Sequence, residues 1–173
     1  MQLPKLLRNI KLPKDLNPFV KNFLTLGPLG FSPKAPGTVG SFAAFLMGLL
    51  LLSVGKSFLV LLSYIVLGAG IAGITYYYKT EKPDNDDPSY IIIDEVLGMW
   101  LVMAYVPFNL VPMILAFIFF RVFDILKPTP INMIESFFKG TPVYNAIGIM
   151  FDDVVAAIYA IVVVNVLWVF GFA

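Results

Sequence analysis

Six of the eleven acidic residues in this 173-residue chain, Asp94, Glu95, Asp124, Glu135, Asp152 and Asp153, fall within stretches that otherwise read as apolar helices. An ionisable group at bilayer depth costs at least about 2.5 kcal/mol on insertion scales, so acids persist there only where they face a protected interior with partners. His and Cys are both absent, which excludes a thiolate nucleophile, an imidazole base and a His/Cys zinc cage. Carboxylate, hydroxyl and amine chemistry remains, and an all-oxygen donor set selects hard cations such as Mg²⁺.

Basic groups accompany these acids. Arg121 precedes Asp124 by three residues and Lys127 follows it by three, so all three share one helical face. A structural ion-pair ladder is one reading; a planar guanidinium fork for phosphate oxygens is the other. Lys127 is followed by Pro128-Thr129-Pro130, a rigid exit that would hold it at the boundary. The segment from Phe31 to Ser41, with Lys34, Gly37 and Thr38, feeds a helix start whose free N–H groups suit an anion. A plain N-cap at Thr38 or Ser41 is the alternative, and the order of Lys and Gly is not that of a Walker loop.

The elements that must position these groups are membrane helices. Hydrophobic residues make up 59% of the chain and charged ones 13%, and the mean hydropathy is +0.86, outside the range of soluble domains. The expected fold is all-α: a single domain (1–173) comprising an interfacial N-terminal region over 1–38 and a bundle of about five spans over 39–170. Hydropathy and turn signals place the spans at Val39–Val54, Ser57–Tyr78, Tyr90–Val106, Leu110–Leu126 and Gly148–Phe170. Leu3, Leu6, Leu7 and Ile10 recur at helical spacing opposite basic residues, and Asn17-Pro18 reads as the cap of a second short helix ending at Gly27. No signal peptide is expected, because Lys5, Arg8, Lys11, Lys14 and Lys21 interrupt the first 24 residues.

Lysine and arginine orient the bundle. Placing the N-terminus and residues 79–89 and 127–147 in the cytoplasm puts every basic residue except Lys56 at or near that face, so the N-terminus is expected inside and the C-terminus outside. Asp94 and Glu95 then lie just after the third span enters, Asp124 just before the fourth leaves, and Asp152 and Asp153 just after the fifth enters. Each is within roughly a turn or two of the cytoplasmic boundary, so three helices aim acids at one point. For Asp152-Asp153 the plain alternative is acids set against a helix N-terminal dipole. For Asp124 that account fails, since it sits near a C-terminus. The formal charge of +1 and the lack of a basic, aromatic-interleaved stripe give no case for nucleic-acid binding.

Four runs, Phe31 to Ser41, Asp94 to Trp100, Phe120 to Ile131 and Gly148 to Ala156, resemble the signature blocks of the phosphatidylglycerophosphatase A family, in the same order. The chain departs from that pattern at Tyr144-Asn145-Ala146 and at Ala157, where glycines are usual, without losing a charge. The resemblance implies a multi-pass, Mg²⁺-dependent enzyme of the bacterial inner membrane, acting from the cytoplasmic side. Its substrate would be phosphatidylglycerophosphate in the cytoplasmic leaflet, and phosphatidylglycerol its product. Asp94, Asp124, Asp152 and Asp153 would then hold the metal, and Glu95 would serve as base or supporting acid. Lys34, Arg121 and Lys127 would neutralise the headgroup, with Gly37 and Thr38 as donors.

The rival class is a cation-coupled membrane transporter, whose acids belong near the midplane among repeats or interrupted helices. Here they crowd one face. Single changes in this Cys-free chain test that arrangement: Lys82→Cys and Ser136→Cys should label only from the cytoplasm, and Lys56→Cys only from outside. Labelling of Ser136→Cys from the periplasmic side of intact cells would overturn the shared face.

Overall fold

The computed structural model describes residues 16–83, 88–131, 133 and 137–172. Among them are six α-helices, α1 (Pro18–Leu24), α2 (Pro36–Leu52), α3 (Lys56–Glu81), α4 (Ile93–Tyr105), α5 (Leu110–Leu126) and α6 (Pro142–Val169), with a 3₁₀ turn at Leu29–Phe31 and no strand. The first expected interfacial helix, on Leu3, Leu6, Leu7 and Ile10, and Glu135 lie outside the described residues, as do residues 84–87 of the long polar loop.

Helix α4 is the hub. Ten of its 13 residues are buried, and α2, α3, α5 and α6 all pack on it. At about 1.5 Å per residue it is about 20 Å long, shorter than the hydrocarbon core of a bilayer. Its last carbonyls are satisfied from other helices: Lys56 Nζ donates to Val106 O at 2.8 Å and Asn165 Nδ2 to Tyr105 O at 3.1 Å. In an apolar bundle such helix ends need internal partners.

Two helices, α3 and α6, are long and apolar enough to cross a membrane. The outer faces of α2, α3, α5 and α6 carry exposed Leu50, Leu61, Ile65, Ile114, Ile118, Val122, Ile158 and Val162, whereas the buried faces of α2 and α6 are rich in small residues. Gly40, Ser41, Ala44 and Gly48 on α2, and Ala156, Ala157 and Ala160 on α6, are buried. Apolar outside with small residues inside is the packing logic of helices in lipid. A Cβ on Gly98 of α4 would meet the Phe120 ring at 2.5 Å and Asp153 O at 3.2 Å, so only glycine lets α4 seat between α5 and α6 there.

Helix starts depart from the expected boundaries for local reasons. The first long helix begins at Pro36, not Val39, because Ala35 takes the N-cap position in a left-handed conformation (φ 45) and Pro36 supplies the first turn. Neither Thr38 nor Ser41 is therefore the cap. The last helix begins at Pro142, not Gly148, because the Thr141 hydroxyl accepts from Tyr144 N at 3.3 Å. Tyr90 closes a turn with Ser89, and Ile91 and Ile92 lead from it into α4 instead of being its first residues. Asn17 does cap α1, accepting from Phe19 N at 2.8 Å. The N-terminal piece is tied to the bundle: Ile92 N donates to Leu24 O at 2.9 Å, and Lys21 lies 5.5 Å from the Phe31 ring centroid.

Candidate functional site

The site forms where the start of α4, the end of α5, the first turns of α2 and the interior of α6 meet. Asp94 and Glu95 occupy the first turn of α4, where the helix dipole favours negative charge. Asp153 has no such help, since it lies eleven residues beyond Pro142, about three turns into α6. That position removes the dipole account for Asp152-Asp153. One ligand oxygen from each of Asp94, Glu95 and Asp153 lies within 4.8 Å of the others.

Partners for these acids are few. Glu95 Oε2 and Asp153 Oδ2 are buried and have no hydrogen-bond partner, and Arg121 Nε is likewise buried without an acceptor. Such atoms cost about 1–3 kcal/mol each when left unmatched. Orphaned acceptors gathered beside an orphaned donor match a ligand pair of opposite signs: a cation for the carboxylates and an oxyanion for the guanidinium. Oxygen ligands of Mg²⁺ at about 2.1 Å lie about 3 Å apart when cis and about 4.2 Å when trans. The triad therefore fits a hard cation after small side-chain adjustments.

Arg121 is held from two sides. Its Nη1 donates to Asp124 Oδ2 at 2.6 Å and to Ser41 Oγ at 3.0 Å. Of the expected ladder along α5, the Arg121–Asp124 pair is formed, and Lys127 reaches to a second helix. As the C-cap of α5, in a left-handed conformation (φ 42), Lys127 directs Nζ to Asp152 Oδ2 on α6 at 2.6 Å. Tyr159 OH donates to Thr129 O at 3.0 Å and pins the proline-bearing exit beside that pair.

The expected site residues thus divide. Asp94, Glu95 and Asp153 converge; Asp124 lies against Asp153 while bridging Arg121; Asp152 faces Lys127. Glu95, expected as base or supporting acid, is one of the three convergent carboxylates. Gly37 forms the floor: a Cβ there would collide with Glu95 Oε1 and come within 3.2 Å of Arg121 Nη2. Thr38 follows on the same turn, and Lys34 is exposed just ahead of it. Ser41 is the member that motif spacing does not disclose as functional. Its signal is only the four-residue interval from Gly37, which puts both on one face of α2.

Such a bundle, apolar on its surface and acidic at one interior point, defines a membrane-associated helical protein. Residues 22–168 match the family model of phosphatidylglycerophosphatase A. The chain is 36% identical over 148 residues to a Bacteroides thetaiotaomicron protein provisionally named phosphatidylinositol-3-phosphatase, covering 82% of this chain and 89% of that one. It is 40% identical over 140 residues to phosphatidylglycerophosphatase A of Haemophilus influenzae, covering 78% and 80%. With phosphatidylglycerophosphatase A of Escherichia coli the identity is 33% over 131 residues, covering 75% and 72%. No solved structure matches with significance. The chain belongs to the phosphatidylglycerophosphatase A family, and it is an enzyme, a phosphoric monoester hydrolase.

The two charge environments predict opposite stability effects in metal-free protein. Asp153→Asn removes one of three crowded carboxylates and should raise the thermal midpoint in detergent. Lys127→Ala strips Asp152 of its ammonium and should lower stability by about 1–3 kcal/mol. Thermal unfolding in excess chelator checks both, and a fall in midpoint for Asp153→Asn would contradict the crowding.

Proposed function

We propose that this enzyme removes the terminal phosphate of phosphatidylglycerophosphate, yielding phosphatidylglycerol and inorganic phosphate. Mg²⁺ is the proposed cofactor, and the cytoplasmic face of a bacterial inner membrane the proposed location. The observation that carries the reading is the convergence of Asp94, Glu95 and Asp153 beside a guanidinium with an unused donor. Family membership supplies the substrate: two of the relatives described are named for it. A multi-pass arrangement, with α2 and α5 crossing beside α3 and α6, is supported by the apolar outer faces of all four helices. The basic residues crowding one side support the orientation.

In this reading Asp94, Glu95 and Asp153 hold the metal, with Asp124 and Asp152 as flanking acids. When bound, Mg²⁺ supplies Lewis acidity toward the phosphoryl oxygens and neutralises their charge. Arg121 presents Nε and Nη2 to those oxygens, because its Nη1 is engaged by Asp124 and Ser41. Glu95 accepts the proton of the attacking water through the carboxylate oxygen that it does not give to the metal. The same proton, returned to the departing glycerol oxygen, balances the hydrolysis. Lys127, anchored on Asp152, and the exposed Lys34 add positive charge at the mouth, and the first-turn N–H groups of Gly37 and Thr38 offer donors. The acyl chains remain against the apolar helix faces, so only the headgroup enters the polar pocket.

A transporter would set its acids between interrupted helices near the midplane. Against that, α6 runs unbroken from Pro142 to Val169, and Asp94 and Asp124 sit at helix ends. A second substrate reading has a specific support, the Bacteroides relative named for phosphatidylinositol 3-phosphate. Both lipids present a phosphomonoester on a polyol headgroup, so the same groups would serve either.

Phosphate release from the two lipids in mixed micelles, with Mg²⁺, Mn²⁺ or chelator, tests the proposal. Phosphatidylglycerophosphate should be the faster substrate, and chelator should abolish turnover. Asp94→Asn, Glu95→Gln and Asp153→Asn should each lower kcat/KM by about 100-fold or more, with folded protein still extractable. Full activity in excess chelator would sink the metal mechanism, and preference for the inositol lipid would reassign the substrate.

A further inference from the structure

Ser41 lies in the second turn of α2, fully buried, yet 80 residues in sequence from the arginine it contacts. Its hydroxyl has one proton to donate, and that proton goes to Gly37 O at 2.8 Å. Toward Arg121 the oxygen is therefore only an acceptor, and it takes Nη1 at 3.0 Å. Asp124 takes the same nitrogen at 2.6 Å. A guanidinium fixed at one terminal nitrogen by acceptors from two helices has little rotational freedom left. Its remaining edge, Nη2 above Gly37 and the unpartnered Nε, stays available.

We propose that Ser41 is a positioning residue for phosphate recognition: it locks Arg121 Nη1 so that Nε and Nη2 form a preset fork for two oxygens of the phosphoryl group. This rests on the phosphatase reading of the site. Without Ser41, Nη1 keeps only Asp124, a neighbour on its own helix three residues away, and that bond alone lets the plane swing about the Arg121 side chain. Two parallel N–H donors on one oxyanion require a fixed plane, which is why bidentate arginine contacts are geometrically demanding. The Gly37–Ser41 interval then has one physical meaning. Glycine admits Glu95 and the guanidinium to the helix surface, while serine one turn later orients the guanidinium.

The experiment uses full-length protein in detergent with Mg²⁺. It measures the affinity for inorganic phosphate by calorimetry, and kcat/KM on the lipid phosphate, for the parent, Ser41→Ala, Arg121→Lys and the double variant. Ser63→Ala is the control, since Ser63 is also buried and donates to the carbonyl four residues back, Leu59 O at 2.9 Å, but lies on α3 away from Arg121. Ser41→Ala should weaken phosphate binding and lower kcat/KM by about ten-fold. On the Arg121→Lys background the same change should cost less than about two-fold, because the group it positions is gone. Ser63→Ala should stay within about two-fold of the parent. Unchanged phosphate affinity in Ser41→Ala, or fully additive effects of the two changes, would overturn the proposal. A parent that shows this coupling in phosphate binding but hydrolyses a different lipid would uphold the Ser41 lock and reassign only the substrate.

Discussion

Like charges brought together inside an apolar bundle are the constraint on which this structure turns. Asp94, Glu95 and Asp153 converge, with Glu95 Oε2 and Asp153 Oδ2 buried and without a hydrogen-bond partner, and the desolvation of such groups costs several kcal/mol per ion when no counter-charge is present. Two cations stand near. Each is already committed to a different carboxylate, Arg121 to Asp124 and Lys127 to Asp152. In the proposed function, a cation would offset the leftover negative charge, and an oxyanion beside it would accept the leftover N–H of Arg121. A phosphomonoester with a divalent metal, as proposed, would meet both demands at once.

Keeping the acids together requires helix backbones to approach closely at the same place. Gly37 lets the Glu95 carboxylate rest on the first turn of α2, and Gly98 lets α4 sit against Phe120 and the α6 backbone at Asp153. Helix α4 carries two of the three carboxylates and is short and almost wholly buried, so its position is set by the surrounding helices on every side. Cross-helix donors from Lys56 and Asn165 close its far end. The site is thus anchored on the most enclosed element of the fold, with the longer helices α3 and α6 forming the wall that faces outward.

Much of this is legible in the chain itself, because hydropathy marks helix interiors well and charge marks their exceptions. All five long helices appear near their expected centres, and α5 at its expected ends, Leu110 and Leu126. Helix starts at Pro36 and Pro142 are harder to read, since proline in a first turn looks like a breaker until its cap is recognised. The partition of Asp152 from Asp153 is not readable from spacing. Successive helical residues point about 100° apart, so one of the two faces the triad and the other Lys127, and only the rotation of α6 within the bundle decides which. Ser41 is obscured for a similar reason: a serine in the second turn of an apolar helix is ordinarily satisfied by its own backbone, and its contact with Arg121 exists only once α2 and α5 pack together.

The central claim is that the α4–α6 carboxylate triad, and not the Asp152–Lys127 pair, is where a divalent cation binds. Electron paramagnetic resonance of Mn²⁺ added to purified protein, with Mg²⁺ as competitor, measures this directly. Bound Mn²⁺ should appear in the parent and in Asp152→Asn, and be lost in both Glu95→Gln and Asp153→Asn. Mn²⁺ binding that survives Glu95→Gln and Asp153→Asn but vanishes in Asp152→Asn would contradict the account.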